Sequence, residues 1–183
     1  RFDQVSKRFR RGELHDSLRD LLAAGMRRLA GRARPADVAR DFWALREVTL
    51  SIPRGVLAAF SGRSGSGKTT LLNLLGGLDR PTSGSVSIDG QDLAGMTEPD
   101  LTRLRLRTVG FVFQSFALLQ SFSAFENIEL PLCMAGVRHR DRAREVRRCL
   151  EIVGLGGWAD HRPAEMSGGQ KQRVAIARAL VMR

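Results

Sequence analysis

The run Gly62-Arg63-Ser64-Gly65-Ser66-Gly67-Lys68-Thr69 constrains the fold of this chain more than any other feature, because it fits the pattern G-x-x-x-x-G-K-[ST]. Glycines at this spacing let backbone N–H groups turn inward and cradle phosphate oxygens. In such a loop Lys68 reaches the β- and γ-phosphates and the Thr69 hydroxyl ligates Mg²⁺. The flanks fit the same reading. Val56 to Phe60 is an apolar run of strand length, and Leu71, Leu72, Leu74, Leu75 and Leu78 follow at helical spacing. A strand, a loop and a helix in that order place the helix N-terminus, with about half a positive charge, against the phosphates. Gly62, Arg63, Ser64, Gly65, Ser66, Gly67, Lys68, Thr69 and Thr70 are therefore the candidate nucleotide contacts. A plain glycine-rich turn between two core elements is the alternative.

A second signal stands at Met166-Ser167-Gly168-Gly169-Gln170, ahead of Val174, Ile176, Ala177 and Leu180 on one helical face. Serine is a good N-cap, and paired glycines admit an anion close to the backbone. Alone, this reads as a capped helix start. Beside the phosphate loop it reads as a second phosphate-binding helix end.

With Val109-Gly-Phe-Val-Phe-Gln114 and Gln172-Arg-Val-Ala-Ile-Ala-Arg-Ala-Leu180, these segments make the chain resemble the ATP-binding subunit of ABC transporters, from about Glu47 to Arg183. The resemblance implies an α/β fold of the P-loop NTPase type, with an antiparallel β subdomain, a RecA-like core and a small helical subdomain over residues 116–165. It implies ATP and Mg²⁺ as ligands, with Lys68 and Gln114 catalytic and Thr69 and Gln114 on the metal. Gln114, at the end of an apolar strand, offers a neutral amide that can ligate Mg²⁺ or hold the attacking water. Ser167, Gly168, Gly169 and Gln170 would face the γ-phosphate of a nucleotide held by a second ATP-binding domain. Phe9 stands where the family's adenine-stacking aromatic falls; the family more often has tyrosine there, and stacking needs only a π-face. Packing in a small core is the alternative for Phe9, and Phe42 and Trp43 are rivals for the base.

The implied partners are that second domain and membrane-spanning permease subunits, gripped by the helical subdomain. Phe116, Leu118 and Leu119 are contact candidates there, or core residues. Leu71 to Gly84 and Glu126 to Leu132 are most similar to the branch that serves lipoprotein release and macrolide efflux. An insertion from Gly12 to Phe42, with Leu14, Leu18, Leu21, Leu22 and Leu29 on one helical face and arginines on the other, is similar instead to polysaccharide exporters. That helix either lies on an anionic membrane surface or docks on the domain.

With 183 residues and 43% hydrophobic content the chain can bury one sizeable core, so a single domain over residues 1–183 is expected. Its apolar runs fall short of the roughly 20 residues that cross a bilayer, and no signal peptide opens it. The expected location is the cytoplasmic side of the inner membrane, held there by partners. The net charge of +11 invites a nucleic-acid reading. Of 30 basic residues, however, only Lys7, Lys68 and Lys171 are lysine and tyrosine is absent, a skew that a coding bias toward arginine explains, so no nucleic-acid partner is expected. The alternative function is a non-transport ATPase of the same family acting on DNA; such proteins separate Gln114-type and signature motifs by long insertions, and none is present here. Cys133 and Cys149 form no C-x-x-C pair, and His15, His139 and His161 do not cluster.

Local patterns predict strands at Val48–Ile52 and Val56–Phe60. Val86-Ser-Ile88 with Asp89-Gly90 predicts a hairpin, and Thr97-Glu-Pro-Asp100 a capped helix reaching Arg107. Further helices are predicted at Ala124–Met134 and Asp141–Val153. The family's Mg²⁺-binding aspartate, catalytic glutamate and switch histidine are not found before Arg183, so the expectation is a truncated copy that binds nucleotide and hardly hydrolyses it. A noncatalytic nucleotide-binding remnant is a further alternative.

Overall fold

Four strands are joined in one antiparallel sheet in the order β2-β1-β3-β4, where β1 is Phe2–Phe9, β2 Phe42–Leu50, β3 Ser83–Ile88 and β4 Gln91–Asp92. The computed structural model describes residues 1–9 and 41–183. The insertion helix expected between Gly12 and Phe42 lies outside the described residues as far as Arg40; Phe42 itself opens β2. The described chain divides into two units, Arg1–Met96 and Thr97–Arg183.

In the first unit, Phe2 and Val5 are both fully buried although an odd spacing should send them to opposite faces of β1. An extra residue in β1 resolves this. The register slips between Phe2 and Val5 against β2 and between Asp3 and Ser6 against β3, and Gln4, which lies within both intervals, takes the left-handed φ of 50°. A left-handed backbone costs a non-glycine residue about 1–2 kcal/mol. Burying each of Phe2 and Val5 returns about 1.5–3 kcal/mol, so the bulge is a net gain. Gly84, at φ 82°, runs directly against the Gln4 carbonyl, where a β-carbon has no room.

The predicted hairpin forms. Ile88 pairs with Gln91, and the two loop residues Asp89 and Gly90 both have positive φ (51° and 80°), the type I′ geometry that suits the twist of two joined strands. The strand predicted at Val48–Ile52 lies inside the longer β2 and ends at Leu50. The strand predicted at Val56–Phe60 does not form. That segment is outside the sheet, with Leu57 96% exposed. Val109–Phe113, expected to be the strand ahead of Gln114, is likewise unpaired in any ladder. An apolar run becomes a strand only when a neighbour takes up its N–H and C=O groups, and neither segment is paired with a described strand.

One helix, α1 (Lys68–Leu75), follows the glycine loop; Leu71 and Leu74 are its buried residues, while Leu72 and Leu78 face solvent.

The second unit holds α2 (Glu98–Thr108), α3 (Ala124–Met134), α4 (His139–Ile152) and α5 (Gly168–Leu180). Three of these four starts carry a side-chain cap, at Thr97, Ser123 and Ser167, whereas Arg138 ahead of α4 supplies none. Thr97 accepts from Asp100 N–H with Pro99 in the first turn; Ser123 and Glu126 make a reciprocal capping box at α3. The Thr97 hydroxyl also donates to Asp100 Oδ2 at 2.5 Å, which holds that carboxyl below its ordinary value. Ile128, Leu132, Val146, Leu150, Leu155, Val174, Ala177 and Val181 form the core in which α3, α4 and α5 meet. The predicted helices at 124–134 and 141–153 are thus α3 and the body of α4.

Candidate nucleotide-binding site

The phosphate loop closes on its own lysine. Lys68 Nζ donates to the carbonyls of Gly62 at 2.6 Å and Arg63 at 2.8 Å, and lies 3.3 Å from Ser66 Oγ. Ser66 N–H donates to the Arg63 carbonyl at 3.2 Å, which tightens the turn. Gly65 and Gly67 both have positive φ, 82° and 85°. They are glycines for different reasons. A β-carbon on Gly65 would meet nothing within 4 Å, so that site is open space beside the backbone. A β-carbon on Gly67 would come within 2.5 Å of the Ala44 carbonyl and 3.1 Å of Leu45, because β2 runs directly behind the loop.

Gly67 is also the N-cap of α1, and no side chain caps that helix end. The first intrahelical bond is Leu71 N–H to the Gly67 carbonyl at 2.8 Å. The N–H groups of the first turn, with the positive helix end, therefore point toward the open side of the loop. Gly62 to Ser66 and Thr69 are exposed. A polyanion fits this set: open glycine backbone, an uncapped helix start and one ammonium.

The signature end of α5 is built differently. Ser167 Oγ accepts from Gln170 N–H at 3.3 Å, and Gln170 Oε1 accepts from Ser167 N–H at 2.8 Å, a complete capping box. Ser167, Gly168 and Gly169 are exposed. The serine hydroxyl thus already caps its own helix, and Gly168 and Gly169 leave their backbone open at its tip.

Gln114 is exposed in a turn: Phe116 N–H donates to the Phe113 carbonyl at 2.9 Å, which makes Gln114 and Ser115 the two central residues. Gln114 belongs to the second unit with the signature, and Lys68 and Thr69 to the first. Phe113 stacks on Phe111 with ring centroids 5.7 Å apart.

Phe9 and Phe42, rivals at the sequence level, form one aromatic pair. They face each other across β1 and β2 with centroids 5.8 Å apart, and Lys7 Nζ lies 5.1 Å from the Phe9 ring. Trp43 pairs across the strands with Arg8, whose guanidinium lies 5.5 Å from the indole. Both Phe42 and Trp43 are nearly half exposed. They precede Ala44, the residue whose carbonyl backs Gly67, so β2 carries the aromatic pair and the loop support on one segment.

Two groups of the second unit escaped sequence reasoning. Asn127 is fully buried, and its amide donates to the carbonyls of Leu119, Phe122 and Ser123 while its oxygen accepts from Leu119 N–H. Arg178 donates to the carbonyls of Ala117 and Phe116 at 2.6 and 2.9 Å. Neither residue has a spacing signal, since each is defined by what a loop does around it.

An open glycine loop closed by a lysine at an uncapped helix start defines a phosphate-binding domain of the P-loop class. Residues 45–183 match the family described as ABC transporter, and the chain belongs to that family. It is 54% identical over 138 residues to the methionine import ATP-binding protein MetN 2 of Burkholderia mallei, covering 75% of this chain and 35% of that one. It is 51% identical over 140 residues to the lipoprotein-releasing system ATP-binding protein LolD of Bordetella pertussis, covering 76% of this chain and 60% of that one. Among solved structures it resembles the ATP-binding cassette MJ0796, in a dimeric post-hydrolysis state bound to ADP and Pi. There the TM-score is 0.78 at 35% identity, over 99% of this chain and 68% of that one. The chain thus spans less than two thirds of the length of these curated relatives. Among the described residues no helix is long and apolar enough to cross a membrane.

Proposed function

We propose that this chain is the nucleotide-binding part of an ATPase that drives an ABC transporter. The observation that carries the reading is the Gly62–Thr69 loop, with its positive-φ glycines and Lys68 at an uncapped helix N-terminus. Lys68 is well placed to exchange the Gly62 and Arg63 carbonyls for phosphate oxygens, a swap of neutral acceptors for charged ones. The loop N–H groups and the first turn of α1 supply further donors. Together they orient and neutralise a triphosphate, which is most of what phosphoryl-transfer catalysis asks of a protein.

Mg²⁺ would supply charge neutralisation at the phosphates. Its protein ligands in this reading are the exposed Thr69 hydroxyl and the Gln114 amide, both oxygen donors of the kind Mg²⁺ prefers. The Phe9–Phe42 pair offers the base its π-surface. Ser167, Gly168, Gly169 and Gln170 serve the nucleotide of a second ATP-binding domain, consistent with the dimeric state of the similar cassette. Permease subunits are the membrane partners, and attachment is peripheral at the inner face. Hydrolysis is proposed for the whole protein, of which this chain is the nucleotide-binding portion.

The cargo is left to the permease. An importer's ATP-binding protein and a lipoprotein-release protein match this chain at similar identity, so this domain is compatible with either direction of transport. Binding of a fluorescent ATP analogue to the wild-type chain and to Lys68→Ala tests the reading. Micromolar-range binding that Lys68→Ala removes supports it. Equal binding by both would end it, and salt-sensitive DNA binding retained by Lys68→Ala would favour the nucleic-acid ATPase instead.

A further inference from the structure

Arg178 lies near the far end of α5, the helix that starts at Ser167, and its guanidinium reaches the turn that carries Gln114. Its two Nη groups each hold one carbonyl, Nη1 that of Ala117 at 2.6 Å and Nη2 that of Phe116 at 2.9 Å. Both of these residues have left-handed backbones, φ 62° for Phe116 and 46° for Ala117, and neither is glycine. Two consecutive strained residues do not hold this shape unaided. The arginine fork spans two adjacent carbonyls, and its planar geometry fixes both at once. Burial pushes the Arg178 guanidinium below its ordinary value, so the group has given up water for these contacts. On the other side of the turn Asn127 fixes Leu119 through both its N–H and its carbonyl. Gln114 is left as the exposed part of a loop clamped behind it.

We infer that Arg178 is a positioning residue: it sets the backbone of the Phe116–Ala117 turn so that the Gln114 amide is presented to the metal–nucleotide complex, tying that presentation to the signature helix. The inference rests on the role given to Gln114 under the proposed function. An arginine is required because a lysine ammonium cannot fill both acceptor positions with a fixed fork.

The test uses the full-length protein with its transporter partner, with ATP turnover measured against Mg²⁺ concentration for Arg178→Gln, Arg178→Lys, Gln114→Ala and Gln114→Ala/Arg178→Gln. Arg178→Gln should lower turnover about tenfold and raise the Mg²⁺ requirement severalfold, as expected for a misplaced catalytic group. Its Mg²⁺-free nucleotide affinity should stay at the wild-type value, because that belongs to the Lys68 loop. Arg178→Lys should follow Arg178→Gln. In the Gln114→Ala background Arg178→Gln should add nothing. Ala117→Gly, which relieves the left-handed strain, should restore part of the turnover lost in Arg178→Gln.

An effect of Arg178→Gln that multiplies with that of Gln114→Ala overturns the positioning role while leaving Gln114 in place. A wild-type Mg²⁺ requirement in Gln114→Ala overturns the reading of Gln114 and the inference with it. If Arg178→Gln does not fold, Arg178→Lys carries the same comparison, and wild-type behaviour of that variant overturns the inference.

Discussion

The ammonium of Lys68 lies 2.6 Å from the carbonyl oxygen of Gly62, so the last and first parts of the phosphate loop are joined through one side chain. The same group is the loop's single formal ammonium. Replacing it with alanine removes a charge-assisted contact worth about 1.5–3 kcal/mol, or tenfold to more than a hundredfold in nucleotide affinity. Titration with a fluorescent ATP analogue should show at least the smaller loss, with the far-ultraviolet circular dichroism of the chain unchanged. Undiminished affinity would remove Lys68 from the site.

Gly65 and Gly67 separate two effects that glycine loops usually mix. Gly67→Ala meets both a left-handed φ and the Ala44 carbonyl, and it should cost about 2–4 kcal/mol of stability. Gly65→Ala meets only the φ penalty, about 1–2 kcal/mol, while its methyl enters the space beside the loop where phosphate oxygens belong. Thermal unfolding should therefore rank Gly67→Ala as the less stable variant, while nucleotide binding falls in both. The reverse stability order would contradict the seat of Gly67 on β2.

Ser167 serves as helix cap and as candidate ligand, and aspartate tells the roles apart. Asp caps a helix about as well as Ser, whereas Ala costs about 1 kcal/mol. Ser167→Asp should keep the melting temperature and still lose ATP turnover in the assembled transporter, because a carboxylate repels the γ-phosphate. If Ser167→Asp turns over ATP normally, the residue only caps.

Asn127 makes four hydrogen bonds with no exposed surface. Asn127→Asp keeps the shape but turns an acceptor toward three carbonyls, and it should destabilise the second unit by about 2–4 kcal/mol. Urea unfolding followed by circular dichroism measures this, and a loss under about 0.5 kcal/mol would mean that the loop does not depend on the clamp.

The cysteines should differ in reactivity. Burial raises the thiol of Cys149 above its ordinary value, an effect larger than the opposing pull of Arg148, so less of it is thiolate at any given pH. Cys133 is exposed on α3. Iodoacetamide at mildly alkaline pH should modify Cys133 first, and mass spectrometry should find Cys149 unmodified until the fold is opened. Equal rates would place Cys149 nearer the surface.

Much of the candidate site was legible because it is local. The loop pattern fixed where left-handed glycines fall, and Ser167 with Gln170 encoded a capping box within four residues. Phe9 was picked out by resemblance with Phe42 as a rival, but their pairing was not: Phe42 lies far along the chain and meets Phe9 only because β1 and β2 pair. Arg178 and Asn127 stood inside segments that carry the resemblance, but their roles were not legible, since their carbonyl acceptors are groups that any residue type carries.

Sequence alone determined the pieces whose hydrogen bonds close within a few residues: the glycine loop, the helix starts at Thr97, Ser123 and Ser167, and the Asp89-Gly90 turn. Tertiary structure decided the rest. Val56–Phe60 and Val109–Phe113 read as strands yet pair with none, because a strand's N–H and C=O groups need partners from distant chain. The bulge at Gln4, the seat of Gly67 on Ala44 and the grip of Arg178 on Phe116 and Ala117 likewise follow from which segments meet, and only the folded chain sets that.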